Sequence, residues 1–227
     1  MQIVALIDAD GIIHRAAWKR SIPEAKEKCD EEMKEIIVGS YCDKYLTAVK
    51  GDNNFRAELY PEYKGHRTRS QEEADILEAL IVHLINNWGA KRAHGFEADD
   101  LVVHWREKVL AKGNLPVICS NDKDLLTVPG THYRTKERCI VYRTHEEAEE
   151  FFNLQLIMGD PTDKIPGIPG LGPVKAKALL ENVPIRDQRQ VVIDTYKLHM
   201  GDNWKDYLEL QGNLLYIRRS PDDAFLV

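Results

Sequence analysis

The amino-acid sequence predicts an α/β fold, with a mostly parallel central sheet flanked by helices and a helical C-terminal part. Three observations predict it. Short apolar runs alternate with helical patterns over the first part of the chain. The run over residues 3–7 is apolar throughout, as expected of a parallel strand that is buried on both faces. The last third of the chain shows helical patterns.

The predicted elements up to residue 143 alternate between strands and helices. Pro23 suits the first turn of a helix, and the apolar residues between Gln71 and Trp88 recur at helical spacing, which predicts a core-facing helix. In order, the elements are a strand over 3–7, a short helix after Gly11, a helix from Pro23, a strand over 45–49, a helix over 71–88, a strand over 91–94, a helix to about Lys112, and strands over 115–119 and 139–143.

The remaining elements are helices. Thr144 is predicted to begin a helix that reaches Met158, because Glu147 stands three residues on as the partner of a capping box. Two more helices are predicted over 187–199 and 204–216, separated at Gly201.

The composition is that of a globular protein. The chain has 227 residues, of which 43% are hydrophobic and 30% charged, enough for one large domain with a small appendage. It has no apolar run of about 18 residues and no N-terminal leader with a cleavage site, so neither a membrane nor a secreted protein is expected. The four cysteines are dispersed without a CxxC pair, which indicates reduced thiols in a cytoplasm.

Acidic residues follow the predicted strands. In open parallel sheets, ligands bind beyond the carboxyl ends of the strands, and carboxylates gathered there need bound cations to stay ionised together. Oxygen ligands without His or Cys favour Mg²⁺ or Mn²⁺ over Zn²⁺. Any one of these acids could instead be a helix cap, but their joint placement predicts a metal site. The six acids are Asp8, Asp52, Glu97, Asp99, Asp122 and Asp124.

The stretch from Met158 to Leu180 joins acids to a glycine-rich turn and a lysine-bearing helix. Its glycines let backbone approach a ligand, and amides that open a helix bind anions. An ordinary interhelical turn is the alternative. With Asp160 and Asp163 the acids number eight, enough for two metal ions acting on a phosphodiester. Without those eight, the formal net charge of −6 becomes +2, which suits a nucleic-acid partner.

Residues 50–69 interleave basic and aromatic side chains. Basic groups contact phosphates and aromatic faces stack on unpaired bases. A solvated loop with ordinary charge is the alternative, and it is favoured for this segment alone. The residues are Lys50, Arg56, Lys64, Arg67 and Arg69 with Phe55, Tyr60 and Tyr63.

From Ile3 to about Leu180 the chain resembles the flap endonuclease, or 5′-nuclease (5′-to-3′ exonuclease), family, particularly its compact bacteriophage and bacterial branch. The resemblance implies a PIN-like fold with a helix-hairpin-helix element. It rests on five motifs in the family's order: Asp8 with Arg15; Gly51-Asp52 with Phe55-Arg56 and the run from Tyr60 to Arg67; the run from Gly95 to Asp100; Asp122-Lys123-Asp124; and Met158-Gly159-Asp160 with the run from Asp163 to Lys177.

The resemblance implies roles for named residues. Asp8, Asp52, Glu97 and Asp99 would hold a first metal ion, and Asp122, Asp124, Asp160 and Asp163 a second, with Asp8, Asp99 and Asp122 counted as catalytic. Asp100 would either hold the metal ligands in place without binding the metal itself, or cap a helix. Lys64 and Arg67 would contact the scissile phosphate, and Tyr63 would stack on a base, with Arg15 and Arg56 also contacting nucleic acid. The hairpin residues Gly167, Gly170, Gly172, Lys175 and Lys177 would hold duplex phosphates, and hairpin carbonyls could bind K⁺.

The implied function is a metal-dependent 5′-to-3′ exonuclease or flap endonuclease, monomeric and cytoplasmic, acting on DNA with 5′ ends, flaps or junctions and on RNA·DNA hybrids. The implied domains are an α/β core over 1–143, with a short arch region over 53–88, and a helical DNA-binding part over 144–227.

This sequence departs from the family's pattern in three respects, which limit what the resemblance implies. Lys164 stands where the family often has Asn, the arch is short for threading a long flap, and a free-standing nuclease is expected, not one joined to a polymerase domain.

Two alternatives remain. A non-catalytic junction-binding protein of the same fold would be expected to lack some of the acids, whereas all eight are present. A PIN-type ribonuclease leaves the Gly/Pro hairpin and its lysines unexplained. The preference between exonuclease and flap endonuclease activity is open.

Overall fold

The computed structural model describes residues 1–65 and 68–227. They pack into two compact units. The first comprises Met1–Asn54, Thr68–Leu125 and Gly130–Arg143, and the second comprises the described part of Phe55–Arg67 with Leu126–Pro129 and Thr144–Val227. The segment implied to be an arch is therefore divided, since residues 55–65 pack within the second unit and 71–88 within the first.

The described residues of the first unit contain six strands in the order β3-β2-β1-β4-β5-β6. Neighbouring strands run parallel from β3 to β5, and β6 is antiparallel to β5. The predicted mostly parallel sheet is therefore confirmed. The strands are β1 Ile3–Asp8, β2 Lys44–Asn54, β3 Lys91–Gly95, β4 Leu115–Cys119, β5 Gly130–Arg134 and β6 Cys139–Arg143.

The helices alternate with the strands and then continue alone, as predicted. They are α1 Asp10–Ala17, α2 Ile22–Gly39, α3 Phe55–Leu59, α4 Gln71–Trp88, α5 Ala98–Ala111, α6 His145–Met158, α7 Pro173–Leu180, α8 Ile185–Met200 and α9 Trp204–Leu215, with short 3₁₀ turns at Asp124–Thr127, Pro161–Asp163 and Gly201–Asn203.

Both faces of the sheet are covered, which explains why β1 is apolar throughout. Ala5 and Ile7 of β1 pack in one core with Ile12 of α1, Met33 of α2 and Leu80 of α4. Helix α5 packs on the strands β1, β2 and β4. A strand in this position can place a polar side chain only at its end.

The second unit has its own helical core. Leu156 of α6, Val192 and Tyr196 of α8, and Leu208 of α9 are buried together. The Tyr196 hydroxyl donates to the Leu156 carbonyl at 2.6 Å. The predicted capping box opens α6, where Thr144 Oγ1 accepts from the Glu147 amide at 3.1 Å. Among the described helices, none is long and apolar enough to cross a membrane.

Two strands differ from the prediction. β2 continues through Asn54 instead of ending at Val49, because the register of its pairing with β3 shifts and pairs Asp52 with His94. The Gly51-Asp52-Asn53 run at this register shift has the composition of a turn, so the strand was predicted to end before it. The strand β5 was not predicted, because Gly130-Thr131-His132-Tyr133-Arg134 has no apolar run.

Candidate metal-binding and nucleic-acid-binding site

Acidic side chains from three strand ends lie at one edge of the sheet. β1 ends at Asp8, Glu97 directly precedes α5 after β3, and Asp122 follows β4. β1, β3 and β4 run in the same direction, so their carboxyl ends share that edge. The chain fills positions β2 and β3 on one side of β1 and then returns to β4 on the other, which is the switch point where ligands bind in such sheets.

Ser120 links the acids at the switch point. Its Oγ donates to Asp8 Oδ2 at 2.8 Å and accepts from the Asp122 amide at 2.9 Å. Asp122 Oδ1 in turn accepts from the Asp124 amide at 2.9 Å, and Asp8 Oδ1 accepts from the Asp10 amide at 3.2 Å. Sequence reasoning missed Ser120, although serine is a turn residue whose hydroxyl can bond the backbone amide two residues on.

The acids that begin α5 form a local network. Asp100 is fully buried, and its Oδ2 accepts from the Glu97 amide at 3.0 Å. The Asp100 amide donates to Asp99 Oδ1 at 2.7 Å. Of the two roles open for Asp100, these contacts support the helix cap, and they fix the direction of the first turn that carries Asp99.

Asp52 does not directly follow a strand, which corrects the prediction. It is exposed and lies within the extension of β2, beyond Ala48, the residue that pairs with Asp8. A Cβ on Gly51 would come within 1.4 Å of the Ala93 carbonyl, so the close approach of β2 and β3 depends on that glycine. Among the described residues of the first unit, no three acidic, His or Cys side chains have ligand atoms within 4.8 Å of one another.

Asp160 and Asp163 form a buried acidic pair in the second unit. They are 4% and 7% exposed, and they have carboxylate oxygens within 4.8 Å of each other. Asp160 Oδ1 accepts from the Thr162 amide at 2.9 Å. Two buried carboxylates at this separation cannot both stay ionised without positive charge nearby. An oxygen-only pair of this kind fits a hard divalent cation.

Lys64 supplies positive charge to this pair. Its Nζ lies 3.4 Å from Asp163 Oδ2, and its amide donates to the Asp163 carbonyl at 3.1 Å. Tyr63 donates its hydroxyl to the same carboxylate oxygen at 3.4 Å. Tyr63 is 6% exposed, so its ring is not available to stack on a base as predicted. Arg67 lies outside the described residues.

Arg56 and Arg15 are both engaged within the protein. Arg56 is 2% exposed and donates to the carbonyls of Leu214 and Tyr216 at 3.0 and 2.8 Å. The predicted phosphate contact of Arg56 is therefore wrong, because its guanidinium is buried and bonded to backbone. Arg15 forms a 2.6 Å ion pair with Glu32, and its side chain is partly exposed.

The glycine-rich turn is part buried and part exposed. Gly167 has a φ of +62°, and a Cβ there would lie 2.3 Å from the Gly159 nitrogen. Its amide donates to Gln211 Oε1 at 3.0 Å, so the predicted phosphate contact of that amide is wrong. Gly170, Gly172, Lys175 and Lys177 are exposed at the start of α7, and Lys175 Nζ donates to the Gly170 carbonyl at 2.9 Å.

Comparison with known proteins identifies relatives for most of this chain. Residues 3–153 match the model of the 5′-3′ exonuclease, N-terminal resolvase-like domain. DNA polymerase I of Rhizobium leguminosarum is 34% identical over 138 residues, 56% of this chain and 14% of that protein. Flap endonuclease Xni of Shewanella sediminis is 30% identical over 166 residues, 64% of this chain and 65% of that protein. The chain thus spans less than two thirds of either relative.

Solved structures share the fold. The bacteriophage T5 5′-exonuclease with bound zinc superposes with a TM-score of 0.65 at 20% identity, covering 94% of this chain and 86% of that one. A T5 flap endonuclease complex with DNA and metal ions gives a TM-score of 0.61 at 19% identity, with 92% and 99% covered.

Proposed function

The chain belongs to the 5′-3′ exonuclease family, and from that premise we propose that it is a divalent-metal-dependent, structure-specific 5′ nuclease that hydrolyses phosphodiesters in DNA. The observation that carries the proposal is the edge of the sheet where Asp8, Asp99 and Asp122 follow three parallel strands. A family relative is a flap endonuclease, and a structural neighbour binds DNA with metal ions, which supports the same chemistry here.

The donors that we assign are carboxylate oxygens, which are the ligands that Mg²⁺ and Mn²⁺ prefer, and we propose a site for two such ions. The two ions would lower the pKa of a water and offset charge on the phosphate. We assign one ion to Asp8, Asp52, Glu97 and Asp99 and the other to Asp122, Asp124, Asp160 and Asp163. The exposed Asp52 would contribute through a bridging water, since hydrated Mg²⁺ usually keeps several waters.

Lys64 is the cation that we assign to the scissile phosphate. It already lies beside the predicted ligand Asp163 and holds a positive charge at a buried carboxylate. A positioned ammonium stabilises the charge that develops on phosphate during hydrolysis. Arg67 is assigned to the same phosphate on the strength of the family motif alone.

The exposed part of the hairpin is the proposed duplex contact. Gly170 and Gly172 leave backbone open to a phosphate, and Lys175 and Lys177 add charge. Hairpin carbonyls are a proposed site for K⁺. The substrates are DNA with 5′ ends, flaps or junctions, and RNA·DNA hybrids, and we propose a cytoplasmic monomer. Its proposed domains are an α/β core over 1–143 and a helical part over 144–227, except that residues 55–65 and 126–129 pack with the helical part.

Cleavage assays test the proposal. End-labelled 5′-flap, nicked, blunt and hybrid substrates are incubated with Mg²⁺ and, as a control, with EDTA. We expect metal-dependent products with the wild type and none with Asp99→Ala or Asp122→Ala, while both variants still bind the junction. Full activity in either variant would refute the metal assignment, and junction binding without any wild-type cleavage would identify a non-catalytic binding protein.

A further inference from the structure

We propose that the second unit binds a small organic phosphate of the nucleoside monophosphate class, in a cavity apart from the predicted metal and duplex residues. The cavity measures about 260 Å³, slightly below the range of about 300–1,000 Å³ that small-molecule pockets occupy. None of the residues predicted for metal or DNA lines it. This inference does not depend on nuclease activity.

Two guanidinium groups line the cavity. Arg189 and Arg219 both face it, and neither side chain has an ion pair or hydrogen bond within the part of the chain that the structure describes. Arg189 is half-buried, and burial lowers its pKa from the ordinary arginine value, with Glu149 acting in the opposite direction. The Arg189 guanidinium is thus partly withdrawn from water and has no carboxylate bonded to it among the described residues. The walls therefore present two guanidinium groups against the single carboxylate of Glu149, and they favour an anion.

Aromatic rings surround the Arg189 guanidinium. Its central carbon lies 5.2 Å from the ring centroid of Phe152 and 5.3 Å from that of Phe225. The two rings meet edge to face at 5.7 Å, and Tyr216 lies 5.9 Å from Phe152. Flat apolar walls beside a cation suit a ligand that joins a planar ring to a negative group.

The wall that carries Phe225 is fixed by its neighbours. The Asn213 side chain donates to the Phe225 carbonyl at 3.0 Å and accepts from the Phe225 amide at 3.1 Å. A Cβ on Gly212 would lie 2.0 Å from the Phe225 ring, so the glycine makes the room that the ring occupies. These contacts hold the cavity open before a ligand arrives, which reduces the ordering cost of binding.

The charge and the rings together indicate the ligand class. A guanidinium binds phosphate through two parallel hydrogen bonds, and a base stacks on an aromatic face at about 1–3 kcal/mol per base. The cavity is too small for a nucleic-acid duplex. A single nucleotide with one phosphate matches both features of its walls.

Calorimetric titration of the full chain with thymidine monophosphate tests this site. EDTA is present, so that binding at the predicted metal site does not contribute. We expect one saturable site per chain, at least tenfold weaker binding of both thymidine and inorganic phosphate, and at least a tenfold loss in Arg189→Met. Arg219→Met, which changes an exposed side chain, should also weaken binding. Arg186→Met is the matched control, because Arg186 lies on the same helix but is exposed beside Asp187.

Several results would overturn the proposal. They are the absence of saturable binding to the wild type, equal loss in Arg186→Met and Arg189→Met, or thymidine binding as tightly as its monophosphate. Inorganic phosphate binding as tightly as the nucleotide would reject the nucleotide class. Loss of nuclease activity has no bearing on this outcome, because the titration requires no cleavage.

Discussion

At the scale of single residues, Arg56 is expected to be structural. Two of its hydrogen bonds satisfy the carbonyls of Leu214 and Tyr216 in a buried setting. Arg56→Met would leave both acceptors unpaired, and we expect the free energy of unfolding to fall by about 3 kcal/mol. Urea denaturation measures the change, with the exposed Arg186→Met as control. Unchanged stability combined with weaker duplex binding would instead restore the predicted phosphate contact.

Ser120 is the residue at which we expect the loss of one hydroxyl group to lower metal affinity most. Groups that orient metal ligands typically contribute 10- to 100-fold in metal affinity. Ser120→Ala removes the donor to Asp8 and the acceptor of the Asp122 amide, so we expect Mn²⁺ affinity to fall about tenfold. Equilibrium dialysis measures it without any substrate. Ser40→Ala is the control, because Ser40 is also buried but is bonded to the Ile37 carbonyl.

These two residues also show what a sequence can and cannot reveal. The positions of Asp8 and Asp122 were predictable because apolar runs mark the ends of β1 and β4, and topology then places both at one edge. The position of Asp52 was not, because β2 continues past Val49. The partners of Arg56 were not, because they lie 158 and 160 residues away. A basic residue among aromatic residues is equally consistent with an exposed surface that contacts nucleic acid and with a buried hydrogen bond inside the protein. The same limit applies to Tyr63, whose burial depends on a distant helical core.

At the scale of elements, boundaries were predictable where local chemistry sets them. The helix α6 begins at its capping box, and α4 ends at Trp88, directly before Gly89, which has a φ of +65°. The end of β2 and the existence of β5 were not predictable from the sequence. The extent of β2 depends on its pairing with β3, and β5 forms by pairing with β4, so neither depends on its own composition alone. In segments without an apolar run, the tendency to form a strand comes from packing against the adjacent strands of the sheet.

The hairpin turn offers a matched pair of glycines. Gly167 and Gly170 have φ of +62° and +80°, but only Gly167 would place a Cβ against backbone, whereas Gly170 has nothing within 4 Å. Gly170→Ala should cost about 1 kcal/mol for the left-handed backbone. We expect Gly167→Ala to cost at least about 3 kcal/mol, since the backbone around Gly159 must move. Thermal unfolding compares them, and equal losses would contradict the packing of this turn.

At the scale of the whole molecule, we expect stability to fall as pH rises above about 9, because both units bury groups that must stay neutral. Burial raises the pKa of Cys29 from 9.0 to about 12, and burial also raises the pKa of Cys119 in the first unit and of Tyr196 in the second. The unfolded chain releases these protons at lower pH than the folded chain does. The stabilisation is therefore complete below the unfolded pKa and is lost as pH rises toward the folded one.

The Cys29 share of this loss should be about 2 kcal/mol at about pH 10.5, since each unit of pKa difference corresponds to about 1.4 kcal/mol. Urea denaturation between about pH 7 and pH 10.5 measures it. Cys29→Ala lowers stability at every pH through the lost packing, but its stability should decline less steeply because one buried acid is gone. The exposed Cys139 gives the control, since Cys139→Ala should keep the wild-type slope. A constant stability over this range, or equal slopes in all three proteins, would show that the buried thiol does not set the alkaline limit.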